Sequence, residues 1–358
     1  MKKTLVTLAV MAACGAASAQ SSVTLFGIVD TAVTIGRGNV SDFTGLTTSG
    51  YNASRLGFRG VEDLGGGLQA SFWLEAAVNA DTGAGSNTNT NNLASGQPAA
   101  GAVAAGSQGL TFSRRSTASL AGGFGEVRLG RDNTPFFWNH TVFDPFGSNG
   151  VGIAMSYTGY GAAYGPNAAR ASNSVAYFLP RSLGGLYGQA QYFLGEQPSG
   201  ANEDDGNGYG LRLGYAAGPF DVAVAYGNTE LAAGDRSTWN VGGSWDVGVA
   251  KLLGYYTSVS NGAAGVADTK GWLIGATAPV GVGQIRASYS QTELDGGAKP
   301  RARKLALGYV HNLSKRTAIY TTIARVRNDG GAAIAIGGSS VSANNNSTGF
   351  DLGVRHSF

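Results

Sequence analysis

The sequence predicts an all-β protein, a sixteen-stranded antiparallel transmembrane β-barrel, on three observations. Side chains alternate in character with a period of two almost throughout, and the 3.6-residue rhythm of an amphipathic helix is hard to find. The connections divide into short turns and long polar loops, as in an up-and-down barrel set in a membrane. Aromatic residues gather at the ends of the alternating segments, at Phe72, Tyr192, Tyr215, Tyr226, Tyr309, Tyr320 and Phe358, where a membrane barrel places its girdles. Charged residues make up 13% of the chain, yet no stretch after the leader reaches the roughly 18 consecutive apolar residues of a membrane helix, so any span must be built from strands. A soluble sandwich with one wet face also alternates, but it has no use for so many strands.

The chain opens on a leader. Lys2 and Lys3 precede an apolar run from Leu5 to Ala13, and Ala17-Ser18-Ala19 is a small-x-small cleavage site. Residues 1–19 are therefore expected to be a signal peptide and residues 20–358 the exported barrel. A lipoprotein box at Met11-Ala12-Ala13-Cys14 is the competing reading, less well formed than the cleavage site. Cys14 is the only cysteine, so its loss with the leader leaves no thiol and no disulfide. Loss of Lys2 and Lys3 reduces 25 basic residues to 23 against 22 acidic ones, a balance that argues against a nucleic-acid partner.

The strands follow in order. Val23, Leu25, Gly27, Val29 and Val33 alternate with Thr24, Phe26, Ile28 and Asp30. Leu56 and Phe58 alternate with Arg55, Gly57 and Arg59, and Leu68, Ala70, Phe72 and Leu74 with Gln69, Ser71, Trp73 and Glu75. Segments 110–121, 125–131, 172–180 and 185–195 repeat the pattern less cleanly. Leu211, Leu213 and Tyr215 restore it, and segments 219–228, 236–246, 249–260, 270–279 and 283–293 continue it. Leu305, Leu307 and Tyr309, segment 317–327 and the terminal strand complete the set. The last strand alternates to the carboxylate, with Phe350, Leu352, Val354, His356 and Phe358 on one face. Lipid offers a backbone no hydrogen-bond partner, so the sheet must close, and the final strand must pair with Val23–Val33. The short turns are Asp63–Gly67, Gly122–Gly125, Ala217–Pro219 and Asn312–Arg316. The long loops are Asn79–Gly109, Glu196–Gly206 and Asp329–Ser347.

The motifs now in hand are specific. Ser21–Val33 (SSVTLFGIVDTAV), Ser54–Glu75 (SRLGFRGVEDLGGGLQASFWLE), Gly122–Pro135 (GGFGEVRLGRDNTP), Asn173–Pro180 (NSVAYFLP), Leu307–Tyr320 (LGYVHNLSKRTAIY) and the terminal GVRHSF together resemble the general trimeric porins of Gram-negative β-proteobacteria. The likeness runs the length of the exported chain, with individual loops. It implies a homotrimer in outer-membrane lipid and lipopolysaccharide. It also implies delivery by the barrel-assembly machinery, which reads the C-terminal strand and Phe358. It implies that the third external loop, Asp132–Gly152, folds into the lumen as a constriction. There Phe143–Gly150 (FDPFGSNG) looks like the family's loop motif and Asp144 is its acid. Asp132 is the loop's other carboxylate, fewer than family members often carry.

Parity and resemblance together give the candidate pore residues. With Leu56 and Phe58 toward lipid, Arg55 and Arg59 face inward. Arg114 and Arg170 match family positions for wall arginines. A column of these four, opposite Asp144 and Glu75, is expected to set a transverse field across a narrow eyelet, with mild anion preference. The plainer reading is that these arginines pair with carboxylates in the wall. Phe136, Phe137 and Trp138 are expected to anchor the loop, and they also suit a ligand-selective channel. A structural or adhesive barrel with a closed lumen is the alternative of another class, disfavoured by the Gly, Ala and Ser on the inward phase.

Enzymatic chemistry finds little footing. With the cysteine gone and His140, His311 and His356 scattered, no His/Cys zinc site can form, and neither metal nor cofactor is expected. A Ser-His-Asp scheme built on His356 is forced, since that residue sits in the lipid-facing phase. Gly206–Gly210 (GNGYG) precedes no helix and reads as a turn. Glu203-Asp204-Asp205 could take a divalent cation on an outer loop, though a solvated acidic run is the plainer reading.

Overall fold

The computed structural model describes residues 22–93, 109–158, 165 and 167–358; the predicted leader lies outside them. In chain order the described residues form β1 (Ser22–Arg37), β2 (Phe43–Thr48), β3 (Arg55–Gly65), β4 (Leu68–Ala77), β5 (Arg115–Gly122) and β6 (Gly125–Asn133). Two short helices follow, α1 (Pro135–Val142) and α2 (Met155–Thr158). Then come β7 (Arg170–Phe178), β8 (Leu186–Phe193), β9 (Gly208–Ala217), β10 (Phe220–Thr229), β11 (Arg236–Asp246) and β12 (Lys251–Asn261). The chain finishes with β13 (Thr269–Val280), β14 (Gly283–Leu294), β15 (Arg301–Asn312), β16 (Thr317–Asp329) and β17 (Ser347–Ser357).

Successive strands pair antiparallel except β2 and β3, which both pair with β1, and β17 pairs with β1, which closes the sheet. Two mutual backbone bonds, Gly27 N to Phe358 O at 3.0 Å and Phe358 N to Gly27 O at 3.1 Å, carry the seam to the last residue. β2 pairs with the outer half of β1 and β3 with its inner half, so these two segments are one wall strand interrupted at residues 49–54. The seventeen segments thus make sixteen wall strands, as the alternation predicts. Segment 43–48 escaped the sequence reading because the interruption hides its rhythm. The four predicted short turns share the end of the barrel that holds both termini.

The wall is inverted relative to a soluble protein. In β15, Leu305 is 62% exposed and Leu307 53%, whereas Lys304 and Ala306, on the opposite phase, are each 1% exposed. β9, β10, β16 and β17 repeat this, with Leu211, Val222, Ile323 and Leu352 outward. An apolar outside with a polar and small-residue inside is stable only when lipid surrounds the cylinder. Tyr320 departs from its predicted girdle place. It is 2% exposed on the inner face, and its hydroxyl donates to Asp30 at 2.5 Å.

Candidate functional site

The third long loop, which leaves β6 at Thr134, crosses the inner face of the barrel. Thr134 caps α1 by accepting from the Phe137 N–H at 3.3 Å, and Pro135 fixes the first helical position, which needs no amide donor. Asn139 clips the helix to the far wall. Its amide nitrogen donates to Asn240 Oδ1 at 2.8 Å on β11, and its oxygen accepts from Arg212 Nε at 2.7 Å on β9. Asn240 donates in turn to the Phe136 carbonyl at 2.9 Å. Phe143 packs with Ala223, Tyr255 and Leu273 of β10, β12 and β13.

The second half of the loop is clipped further round. The Met155 amide donates to Ser290 Oγ at 2.9 Å, Ser156 Oγ to the Tyr255 hydroxyl at 2.9 Å, and the Val151 amide to Asp351 at 2.8 Å. Lys304 donates to the Val151 carbonyl at 3.1 Å and also to that of Ile153. Glycines on the wall make room: a Cβ on Gly242 would meet Phe143 at 2.5 Å, and one on Gly275 would meet Pro145 at 2.6 Å. The loop therefore covers the face of β9–β17, touches β7 and β8 through Arg170 and Tyr187, and leaves β3–β6 open to the lumen.

A second inward element, which the sequence reading missed, is the interruption at residues 49–54. Asp30 on β1 accepts from the amides of Gly50 (3.2 Å), Tyr51 (3.0 Å) and Asn52 (2.6 Å). Tyr51 then lies under the guanidinium groups of Arg286 (4.6 Å) and Arg355 (5.3 Å), and Arg286 also covers Phe146 of the third loop at 4.7 Å. The two inward elements touch at Gly150, whose φ is +61° and where a Cβ would lie 2.3 Å from the Gly50 carbonyl; only glycine suits it. The available signals were the lone acid in the inward phase of β1 and the turn-forming run Ser49-Gly50-Tyr51-Asn52.

The predicted pore residues fall as follows. Arg55 and Arg114 both grip Glu75, at 3.2 and 2.5 Å, and Trp73 Nε1 donates to its other oxygen at 3.0 Å. Glu75 thus sits beside the arginines on the same wall, not across the lumen from them. Cross-strand neighbours on adjacent strands share a face, so the register of Gly57 with Glu75 forces this. Arg59 is exposed and lies over the rings of Phe26 and Trp73, at 5.4 and 5.2 Å. Arg170 lies over Phe137 at 5.7 Å.

Asp132 ends β6 and belongs to the wall, paired with Arg128 and, at 3.8 Å, with Arg115. Asp144 is 4% exposed and turned into its own loop, accepting from the Phe146 amide at 2.8 Å and the Ala154 amide at 3.0 Å. A loop without strand partners needs internal acceptors for its amides, and Asp144 supplies two. Of the three aromatics only Phe136 is buried, against Val259, while Trp138 borders open space. Arg128 and Arg212 are not among the candidates, although parity alone places them inward; Arg115, whose place beside Arg114 leaves the alternation there ambiguous in the sequence, lies inward with Asp132 at 3.8 Å.

The open wall consequently carries Arg55, Arg59, Arg114, Arg115 and Arg128 against Glu75, Glu126 and Asp132, an excess of two positive charges. Toward the short-turn end it borders a cavity of about 890 Å³ lined by Ser71, Glu126, Arg128, Trp138, Tyr187 and Arg212. His140 is fully buried between the rings of Phe136 (4.7 Å) and Tyr255 (4.8 Å), and burial pulls its pKa down to about 3.

Comparison with known proteins agrees with this architecture. The pattern of the Gram-negative porin family matches residues 6–331. The chain is 39% identical to outer membrane porin protein 32 of Delftia acidovorans, over the full length of both. A solved structure, the anion-selective porin from Comamonas acidovorans, superposes with a TM-score of 0.80 at 36% identity, covering 95% of this chain and all of that one. The outer membrane protein OmpT of Vibrio cholerae shares the fold, with a TM-score of 0.65 at 15% identity over 94% of this chain and 98% of its own.

Proposed function

This chain belongs to the Gram-negative porins, a family of outer-membrane channels through which small hydrophilic solutes diffuse passively, and on that premise we propose that its pore favours small anions mildly. The observation that carries the proposal is the surplus of arginine on the open wall. Both Glu75 and Asp132 are held by two arginines each, so little negative potential remains to offset the exposed guanidinium of Arg59. The anion selectivity named for the Comamonas acidovorans porin supports the same sign.

In this reading the eyelet lies between the third loop and the wall of β3–β6. Arg55, Arg59, Arg114 and Arg170 are its basic side. Glu75 and Asp132 orient those arginines, and Asp144 shapes the loop. Passage involves no turnover, cofactor or metal. The leader at residues 1–19 is cleaved. The barrel assembles as a homotrimer in lipid and lipopolysaccharide, and Phe358, paired into the seam, serves as the assembly signal.

The test is the reversal potential of the reconstituted protein across a planar bilayer under a potassium chloride gradient. Native protein is expected to show chloride preference. Arg59→Glu, which breaks no ion pair among the described residues, should lower the chloride-to-potassium permeability ratio on the order of twofold. Native preference for potassium, or no response to Arg59→Glu, would remove this wall from selectivity.

A further inference from the structure

We propose that the outer ends of β15 and β16, with β1 beside them, form a binding site for the phosphate groups of lipopolysaccharide, the phosphorylated glycolipid of the outer leaflet. The inference starts from the girdle. Around the loop end of the barrel, outward positions carry Tyr192, Tyr209, Tyr226, Trp239, Tyr256, Trp272 and Tyr289, on every strand from β8 to β14. The series stops at β15. The row through Tyr256 and Trp272 passes Gln291 and arrives at Arg303 and then Arg327. The row beneath, through Ile274 and Tyr289, passes Leu305 to Arg325, then Thr348, then Arg37.

Arg301 lies one outward position above Arg303. Five arginines therefore stand at the outer rim of β15, β16 and β1, where the series of rings carried by β8–β14 has ended. Adjacent strands are about 5 Å apart, so the guanidinium groups of Arg303 and Arg327 can share one phosphate, and Arg325 and Arg37 flank the next strand.

These side chains face outward, not into the pore. Arg325 and Arg327 share the phase of Ile323 and Ile319, which are exposed, while Val326 and Asn328 are buried. Arg327 keeps 72% of its side chain exposed at 4.0 Å from Asp329. Arg325 makes no ion pair among the described residues. The acids nearby do not neutralise the group: Asp329 meets Arg303 at 3.0 Å, Glu293 meets Arg301 at 3.8 Å, and Asp42 meets Arg37 at 3.7 Å. Five cations stand against three carboxylates. Between the end of β16 and the loop that follows lies a groove of about 430 Å³ lined by Gly330 and by the hydrogen-bonding side chains of Arg325, Arg327, Asn328, Asp329, Asn344 and Asn346.

Charge on the lipid face is unfavourable unless something at that depth answers it. Directly below, Leu305, Leu307, Ile323 and Leu352 form the apolar band that would meet acyl chains. A ligand with phosphates above acyl chains matches both halves, and arginine takes phosphate in bidentate fashion. The site rests on the proposed lipopolysaccharide surroundings and is independent of pore selectivity.

The experiment measures lipopolysaccharide binding to detergent-purified full-length protein, native and as the triple variant Arg303→Gln/Arg325→Gln/Arg327→Gln, with dephosphorylated lipopolysaccharide as the second probe. The variant is expected to bind about tenfold more weakly, and native protein should lose the same factor with the dephosphorylated probe. Folding is checked by the cold-gel mobility of the barrel and by unchanged conductance. Equal binding by native and variant overturns this site but leaves the lipid partner standing. Absence of binding by native protein overturns both. Loss of subunit association without loss of binding would assign the arginines to the contact between copies and also overturn the site.

Discussion

His140 sits in the third loop with an aromatic ring on either side and the Thr257 hydroxyl at 3.4 Å from Nε2. Its ring stays neutral because burial pulls its pKa from an ordinary 6.5 to about 3. The sign of the pH effect follows. A loop released from the wall takes up a proton near pH 6.5, whereas the docked loop does not until about pH 3. Docking therefore holds fully above pH 6.5 and weakens as pH falls toward 3, by up to about 1.4 kcal/mol per pH unit. Single-channel recordings between pH 7 and pH 4 should become noisier on the acid side, and His140→Phe should remove that dependence. Noise that rises with pH, or persists unchanged in His140→Phe, would assign it to another group. Nothing in the sequence singled out His140, since its environment comes from β12, more than 100 residues away along the chain.

Two segments narrow the lumen on the proposed reading, and they differ in how much the sequence disclosed. The third loop was expected inside the barrel from its resemblance to a known motif, but its route was not legible. Its clips lie far along the chain, 101 residues from Asn139 to Asn240 and 200 from Val151 to Asp351. Asp144 shows the consequence. As an acid in a constriction motif it read as a pore charge, yet its oxygens serve two backbone amides.

The bend at residues 49–54 depends on one carboxylate. Asp30→Ala removes the acceptor for three amides and the Tyr320 hydroxyl, each charge-assisted bond being worth roughly 1.5–3 kcal/mol. With the bend loosened, Tyr51 no longer reaches Arg286 and Arg355, and single-channel conductance should rise. An unaltered conductance would show that Asp30 does not set the opening.

Over the barrel as a cylinder, the sequence was most informative where lipid imposes a rule. Outward positions must be apolar and inward ones must not, so parity alone places Leu305, Leu307 and Leu352 outward, where each is more than half exposed. Inside, water tolerates every residue type, and parity says only that a side chain points in. That is why Arg55 and Arg59 were placed correctly on the inner face while the partnership of Arg55 with Glu75, and the position of that acid on the same wall, were not foreseen. Tyr320 failed for the complementary reason: a tyrosine near a strand end suits a girdle, but its phase is the inward one and Asp30 takes its hydroxyl.

On the proposed cleavage of residues 1–19, Cys14, the sole cysteine, is lost, so single introduced thiols report cleanly on this arrangement. The most direct measurement is labelling by a water-soluble sulfonated maleimide of Ser71→Cys, which faces the cavity, and Leu305→Cys, which faces lipid, in protein reconstituted into phospholipid vesicles. Rapid labelling of Ser71→Cys with protection of Leu305→Cys, both reacting equally after denaturation, is the predicted result. The reverse pattern, or equal labelling of the two in the folded protein, would contradict a barrel that meets lipid outside and water within.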